Sequence, residues 1–136
     1  MTQLQTELPP IVLTVPDSER LDRLVSAAAA AFPRTADFLA REIARARIVE
    51  PADRPAGVVG MGSKVEFRDD TTTSVRVLTL VYPDEADLEA GRISVLSPIG
   101  AALIGLAAGQ SIEWQTPAGG WRSLTALKVD GIGTPE

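Results

Sequence analysis

Asp84, Glu85, Asp87 and Glu89 form the densest group of carboxylates in this 136-residue chain. Clustered carboxylates are what a hard cation or an acid/base pair requires. Here the spacing is not that of a calcium loop, and Pro83-Asp84-Glu85-Ala86-Asp87 reads as a solvated turn ahead of a strand. Histidine and cysteine are absent, which removes the commonest general base, the thiol nucleophile, the disulfide framework and the cysteine-type zinc site. Carboxylates, lysine and hydroxyls remain for any chemistry. The expectation is a protein that acts by binding, without catalytic residues, metal or cofactor.

Three further groups could make contacts. In Leu96-Ser97-Pro98-Ile99, a serine able to cap a helix precedes a proline suited to the first helical position, which needs no amide donor. In Phe32-Pro33-Arg34-Thr35-Ala36-Asp37-Phe38, the one carboxylate, Asp37, lies close in sequence to the cation Arg34; an acid there answers the helix dipole, and one carboxylate is too few for a hard cation. Trp114 and Trp121 read as core or edge packing. Charge is uneven: residues 17–50 carry six basic and six acidic side chains, so the net charge of −5 falls on the remainder. A surface of that sign repels phosphate backbones, and direct nucleic-acid binding is not expected.

The elements that must position these groups are legible from periodicity. Pro9 to Pro16 is an extended lead suited to an edge. A helix capped by Asp17 or Ser18 follows, with Leu21, Leu24, Val25, Ala28 and Phe32 on one face and Pro33 as its end. Thr35 is expected to cap a second helix with Leu39, Ile43 and Ala46 inward and exposed pairs Asp37–Arg41 and Glu42–Arg45. The short link makes the two antiparallel, a stubby coiled-coil-like arm with Phe32 and Phe38 closing its turn. A helix of about fifteen residues spans only about 22 Å.

Residues 51–57 read as a linker between this N-terminal part, residues 1–50, and a domain over 58–132. The strand candidates are Val58–Val59, Lys64–Arg68, Val75–Tyr82, Ile93–Leu96, Ser111–Thr116 and Leu124–Val129, with turns at Asp69–Thr73 and Pro117–Gly120. A short helix starting at Pro98, striped by Ile99, Leu103 and Leu106 and stopped by Gly109, should cover the apolar face of a mostly antiparallel sheet. Gly100 and Gly105 should permit close backbone approach. The class is α+β. No signal-peptide pattern or bilayer-length apolar run is present, so a cytoplasmic protein, monomeric and away from membranes, is expected.

Four ordered blocks carry a family resemblance: Met61-Gly-Ser-Lys-Val-Glu-Phe67, Leu80-Val-Tyr-Pro-Asp-Glu-Ala-Asp87, Ile93-Ser-Val-Leu-Ser-Pro-Ile-Gly-Ala-Ala-Leu103 and Gly109-Gln-Ser-Ile-Glu-Trp114. They resemble the C-terminal domain of the bacterial Gre transcript-cleavage factors and, still more, the Rnk family of regulators of nucleoside diphosphate kinase. The resemblance implies an FKBP-like domain behind a helical hairpin, and a regulator that docks on RNA polymerase near its secondary channel in competition with Gre factors. It also implies that Leu96, Ser97, Pro98 and Ile99 touch the channel rim. Gre factors typically carry Asn or Asp at the position of Leu96 and Ala-Arg at Gly100-Ala101, so apolar contact must carry more of the binding here. They place acidic residues at the arm turn to help hold a catalytic magnesium, where this chain has only Asp37 beside Arg34. A Gre-like cleavage factor and a prolyl isomerase are the alternative readings.

Overall fold

The computed structural model describes residues 8–115 and 120–132. Thr116 and the expected Pro117–Gly120 turn, Gly120 excepted, lie outside them. The extended lead forms strand β1 (Val12–Thr14), and the chain turns at once into helix α1 (Val15–Ala28). The helix starts three or four residues before the sequence suggests. Thr14, not Asp17 or Ser18, is its cap and accepts the Asp17 amide at 3.3 Å, while Pro16 occupies the first turn, where it displaces no helical hydrogen bond.

Helix α2 (Pro33–Arg45) corrects a second boundary. Pro33 opens this helix instead of closing the first, and Phe32 is its cap, with no side-chain bond, in place of Thr35. Proline's missing N–H makes both readings sterically possible, and only the turn geometry decides between them. Phe32 is 54% exposed and does not close the turn, whereas Phe38 packs against the core. The two ion pairs form as spaced. Asp37–Arg41 is exposed at 2.6 Å, but Glu42–Arg45 is an interior pair, with Glu42 only 1% exposed.

A short strand β2 (Arg47–Val49), too brief and too exposed to leave a periodic signal, pairs in parallel with β1. The larger sheet holds β3 (Ser63–Asp69), β4 (Val75–Val81), β5 (Arg92–Ser94), β6 (Ser111–Gln115) and β7 (Trp121–Ile132), in the order β5-β4-β3-β7-β6. All its pairings are antiparallel except β4–β5. The residues between these two, with turns of 3-10 helix at Pro83–Glu85 and Leu88–Ala90, return the chain to run parallel. The expected strand at Val58–Val59 reduces to a single bridge from Val58 to Ala107, and β7 begins three residues before Leu124.

Helix α3 (Pro98–Leu103) is shorter than the stripe to Leu106 implies. Ile104 leaves helical geometry and Gly105 follows at φ +81°, against Ile11, so Leu106 reaches the core from a loop. Leu21 and Leu39 of the helices, Phe67 and Leu80 of the sheet, and Leu103 and Leu106 belong to one buried cluster. The first two helices therefore take much of their stability from the same core as the sheet. Among the described residues no helix is long and apolar enough to cross a membrane.

The β3–β4 turn is held from β7. Asp70 accepts from Arg68 Nε at 2.7 Å and from the hydroxyls of Thr125 and Ser123 at 2.8 and 2.9 Å. Asp69 caps Thr71 and pairs with Arg122. Burial pushes the Asp70 carboxyl up, but the hydrogen bonds and the charge of Arg68 outweigh it and hold the group below its ordinary 3.8. A depressed folded value stabilises the protein above pH 3.8, and that contribution is lost as pH falls through the folded value. Asp70→Asn should thus cost about 1–2 kcal/mol at pH 7. In urea titrations at decreasing pH, its deficit against the parent should narrow steadily below pH 3.8.

Candidate partner-binding site

The Leu96–Ile99 turn is built by hydrogen bonds from the end of β5. The Ser94 hydroxyl accepts the Leu96 amide at 3.0 Å, and the Ser94 carbonyl accepts both the Ser97 amide at 3.0 Å and the Ser97 hydroxyl at 2.7 Å. The Ser97 oxygen in turn accepts the Gly100 amide at 3.0 Å, capping α3. Both functions of that hydroxyl are spent inside the protein, so Ser97 shapes the turn more than it offers a donor. Gly100 is what lets the turn close. A Cβ built there would lie 2.0 Å from the Ser94 carbonyl oxygen, a separation no side chain can occupy.

Of the four expected contact residues, Pro98 is exposed, while Leu96, Ser97 and Ile99 are half-buried. Leu96 and Ile99 divide their surfaces between the core and solvent. The turn therefore presents a small apolar ridge on a rigid base. Sequence reading missed Ser94, whose spacing of three from Ser97 was the available signal. Arg34 and Asp37 lie elsewhere, near the start of α2, which packs against α3. Asp37 pairs with Arg41, one helical turn on.

The acidic run does not converge. Asp84, Glu85, Asp87 and Glu89 are all exposed, and Asp87 caps the Leu88–Ala90 turn through the Ala90 amide at 3.3 Å while approaching Arg92 at 3.7 Å. Among the described residues no group of three or more acidic side chains is placed to hold a metal ion. Trp114 is buried, as core packing requires, whereas Trp121 is 62% exposed at the start of β7.

Residues 54–130 match the family described as "Transcription elongation factor, GreA/GreB, C-term", and residues 9–49 match "Rnk N-terminus". The regulator of nucleoside diphosphate kinase of Escherichia coli K12 is 40% identical over 122 residues, spanning 90% of each chain. The chain belongs to the Rnk family. Its kinship with Gre factors is shared over a smaller part: the elongation factor GreA of Syntrophobacter fumaroxidans is 44% identical over 91 residues, 67% of this chain and 58% of that one. The structure described as a prokaryotic transcription elongation factor GreA/GreB from Nitrosomonas europaea superposes with a TM-score of 0.70 at 41% identity, covering 90% of this chain and 99% of that one. The chain is a Rnk-type regulator of the Gre-like family, with the GreA/GreB match over residues 54–130 and the Rnk match over residues 9–49.

Proposed function

We propose that this protein regulates transcription without catalysis, by docking its sheet domain on RNA polymerase near the secondary channel and competing there with Gre factors. The observation that carries the proposal is the Ser97–Pro98 turn: a shared block of the Gre-like domain, locked by Ser94 and Gly100, with Pro98 held outward on it. Residues 58–132 would serve as the FKBP-like docking unit, residues 51–57 as the linker and residues 1–50 as a short coiled-coil-like arm. The protein would act in the cytoplasm as a monomer, with no direct hold on nucleic acid.

Pro98 offers the cleanest test of the contact. Ile99 also packs on the core, so charging it would confuse folding with binding. Pro98→Asp suits the first turn of a helix and should leave the fold intact. It should weaken polymerase binding by about 1–2 kcal/mol, because it places an unpaired charge in an apolar contact. Binding equal to the parent's, with a native circular dichroism spectrum, would place the contact elsewhere.

The arm argues for occupancy over cleavage. Helix α1, of 14 residues, reaches only about 21 Å, and the one carboxylate near the turn, Asp37, is engaged by Arg41. Coordinating a magnesium ion in a channel calls for clustered carboxylates and the length to deliver them. The expected outcome in stalled elongation complexes is no shortening of labelled transcripts with this protein alone, and reduced cleavage when a Gre factor is added with it. Shortening that depends on Asp37 would restore the cleavage-factor reading. The isomerase alternative is not favoured, since the ring pocket it would need calls for accessible aromatic side chains, and Phe67 and Trp114 are buried in the core.

A further inference from the structure

A groove that the sequence did not announce runs along the seam between α1 and the end of β4. It consists of two adjoining hollows of about 410 and 340 Å³ that share Arg20 and Tyr82. Leu24, Pro83 and Arg23 line the first; Asp17, Met61 and Glu85 are among those lining the second. The Arg20 guanidinium stacks over the Tyr82 ring, 3.8 Å from its centre, an attraction that fixes a cation at the junction. Among the described residues neither Arg20 nor Arg23 has a carboxylate within ion-pair distance.

Tyr82 adds the second observation. Only 9% of its surface is exposed, yet its hydroxyl, buried, has no hydrogen-bond partner among the described residues. A buried donor left unpaired is a standing cost that an incoming acceptor would relieve. Burial, and after it the nearby charge of Asp17, pushes this phenol up to about 12, so it remains a proton donor throughout the physiological range.

We propose that this groove binds an acidic segment of a protein partner, with one carboxylate held between Arg20 and Arg23, and an apolar neighbour resting on Leu24 and Pro83. The Tyr82 hydroxyl supplies a further donor to that segment. A free anion would use the guanidiniums but leave the apolar floor uncovered. Nucleic acid would bring a run of phosphates against Asp17, Asp84 and Glu85, which border the same groove, whereas a peptide can present a single charge at the arginines alone. The inference is independent of the polymerase reading, because the groove and the Ser97–Pro98 turn are built from different residues.

The test is a titration of the isotope-labelled full chain, followed by amide chemical shifts, with an end-blocked hexapeptide of glycine and serine that carries a single glutamate next to a single leucine. Its counterpart with glutamine in place of that glutamate, and inorganic phosphate, are the controls. The glutamate peptide is expected to bind saturably, with shifts concentrated around residues 20–24 and 81–85, and at least about tenfold tighter than the glutamine peptide. Arg23→Gln, at an exposed position that folding does not depend on, should weaken it by at least about fivefold. Tyr82→Phe, which keeps the ring under Arg20, should weaken it by about threefold or more. Absence of saturable binding, indifference to Arg23→Gln, or equal shifts from phosphate at the same concentration would overturn the proposal.

Discussion

A Gly100→Ala chain should lose about 3 kcal/mol or more of stability, although helix propensity alone favours alanine by about 1 kcal/mol. The two effects have opposite signs, so the direction of the result is decisive. The added methyl would sit 2.0 Å from the Ser94 carbonyl oxygen and 3.0 Å from the Ser97 hydroxyl oxygen. The nearer atom is backbone, at the end of a strand paired with β4, and cannot swing aside as a side-chain tip could. Relief requires α3 to move away from β5, which strips the Ser97 cap and loosens Ala101, Ala102 and Leu103, all fully buried. Urea unfolding should show the loss as a lower midpoint with an unchanged slope. A variant as stable as the parent would mean that β5 and α3 do not approach as described.

Arg45→Met should be comparably severe, at about 3–5 kcal/mol, because it leaves the buried Glu42 carboxylate without its counterion. Arg45 grips both oxygens of Glu42, through Nε at 3.0 Å and a terminal nitrogen at 2.8 Å, and its other terminal nitrogen donates to the Pro9 carbonyl. One side chain thus ties the extended lead to α2. Replacing both partners removes the stranded charge, and a well-packed apolar pair can match a buried ion pair. Glu42→Leu combined with Arg45→Met should therefore recover most of the stability lost by Arg45→Met alone. Equal losses in the single and double variants would show that the cost comes from lost packing or the Pro9 bond, not from the unpaired carboxylate.

What could be read from the sequence, and what could not, divides along physical lines. The β3 and β4 strands and the stripes Leu21, Leu39 and Ile43 were legible because burial on one face imposes a period. The boundaries at Pro33 and Thr14 were not, since proline and threonine each fit more than one position at a helix end. Nor was β2, whose three residues bury too little to create a pattern. At the candidate site, the Ser97 cap and the close approach at Gly100 followed from residue type. The half-burial of Leu96 and Ile99 did not, because it depends on the core beneath them. The groove at Arg20 and Tyr82 joins residues 62 positions apart, and no local spacing announces it.

The apolar turn also limits how binding should respond to salt. With Pro98 outward and no cation on that ridge, polymerase affinity should depend less on ionic strength than an electrostatic contact would. Arg41 and Arg45 are already paired within α2 and are poorly placed to add a long-range term.

Competition with a Gre factor on core RNA polymerase tests the proposed docking site without an intermediate step. Core RNA polymerase carrying a fluorescently labelled Gre factor would be titrated with this protein, and the labelled factor followed by anisotropy. Full displacement at micromolar concentration is expected for the parent chain, and a shift of the curve to higher concentration for Pro98→Asp. Failure of the parent chain to bind core polymerase or to displace the labelled factor at those concentrations would contradict it.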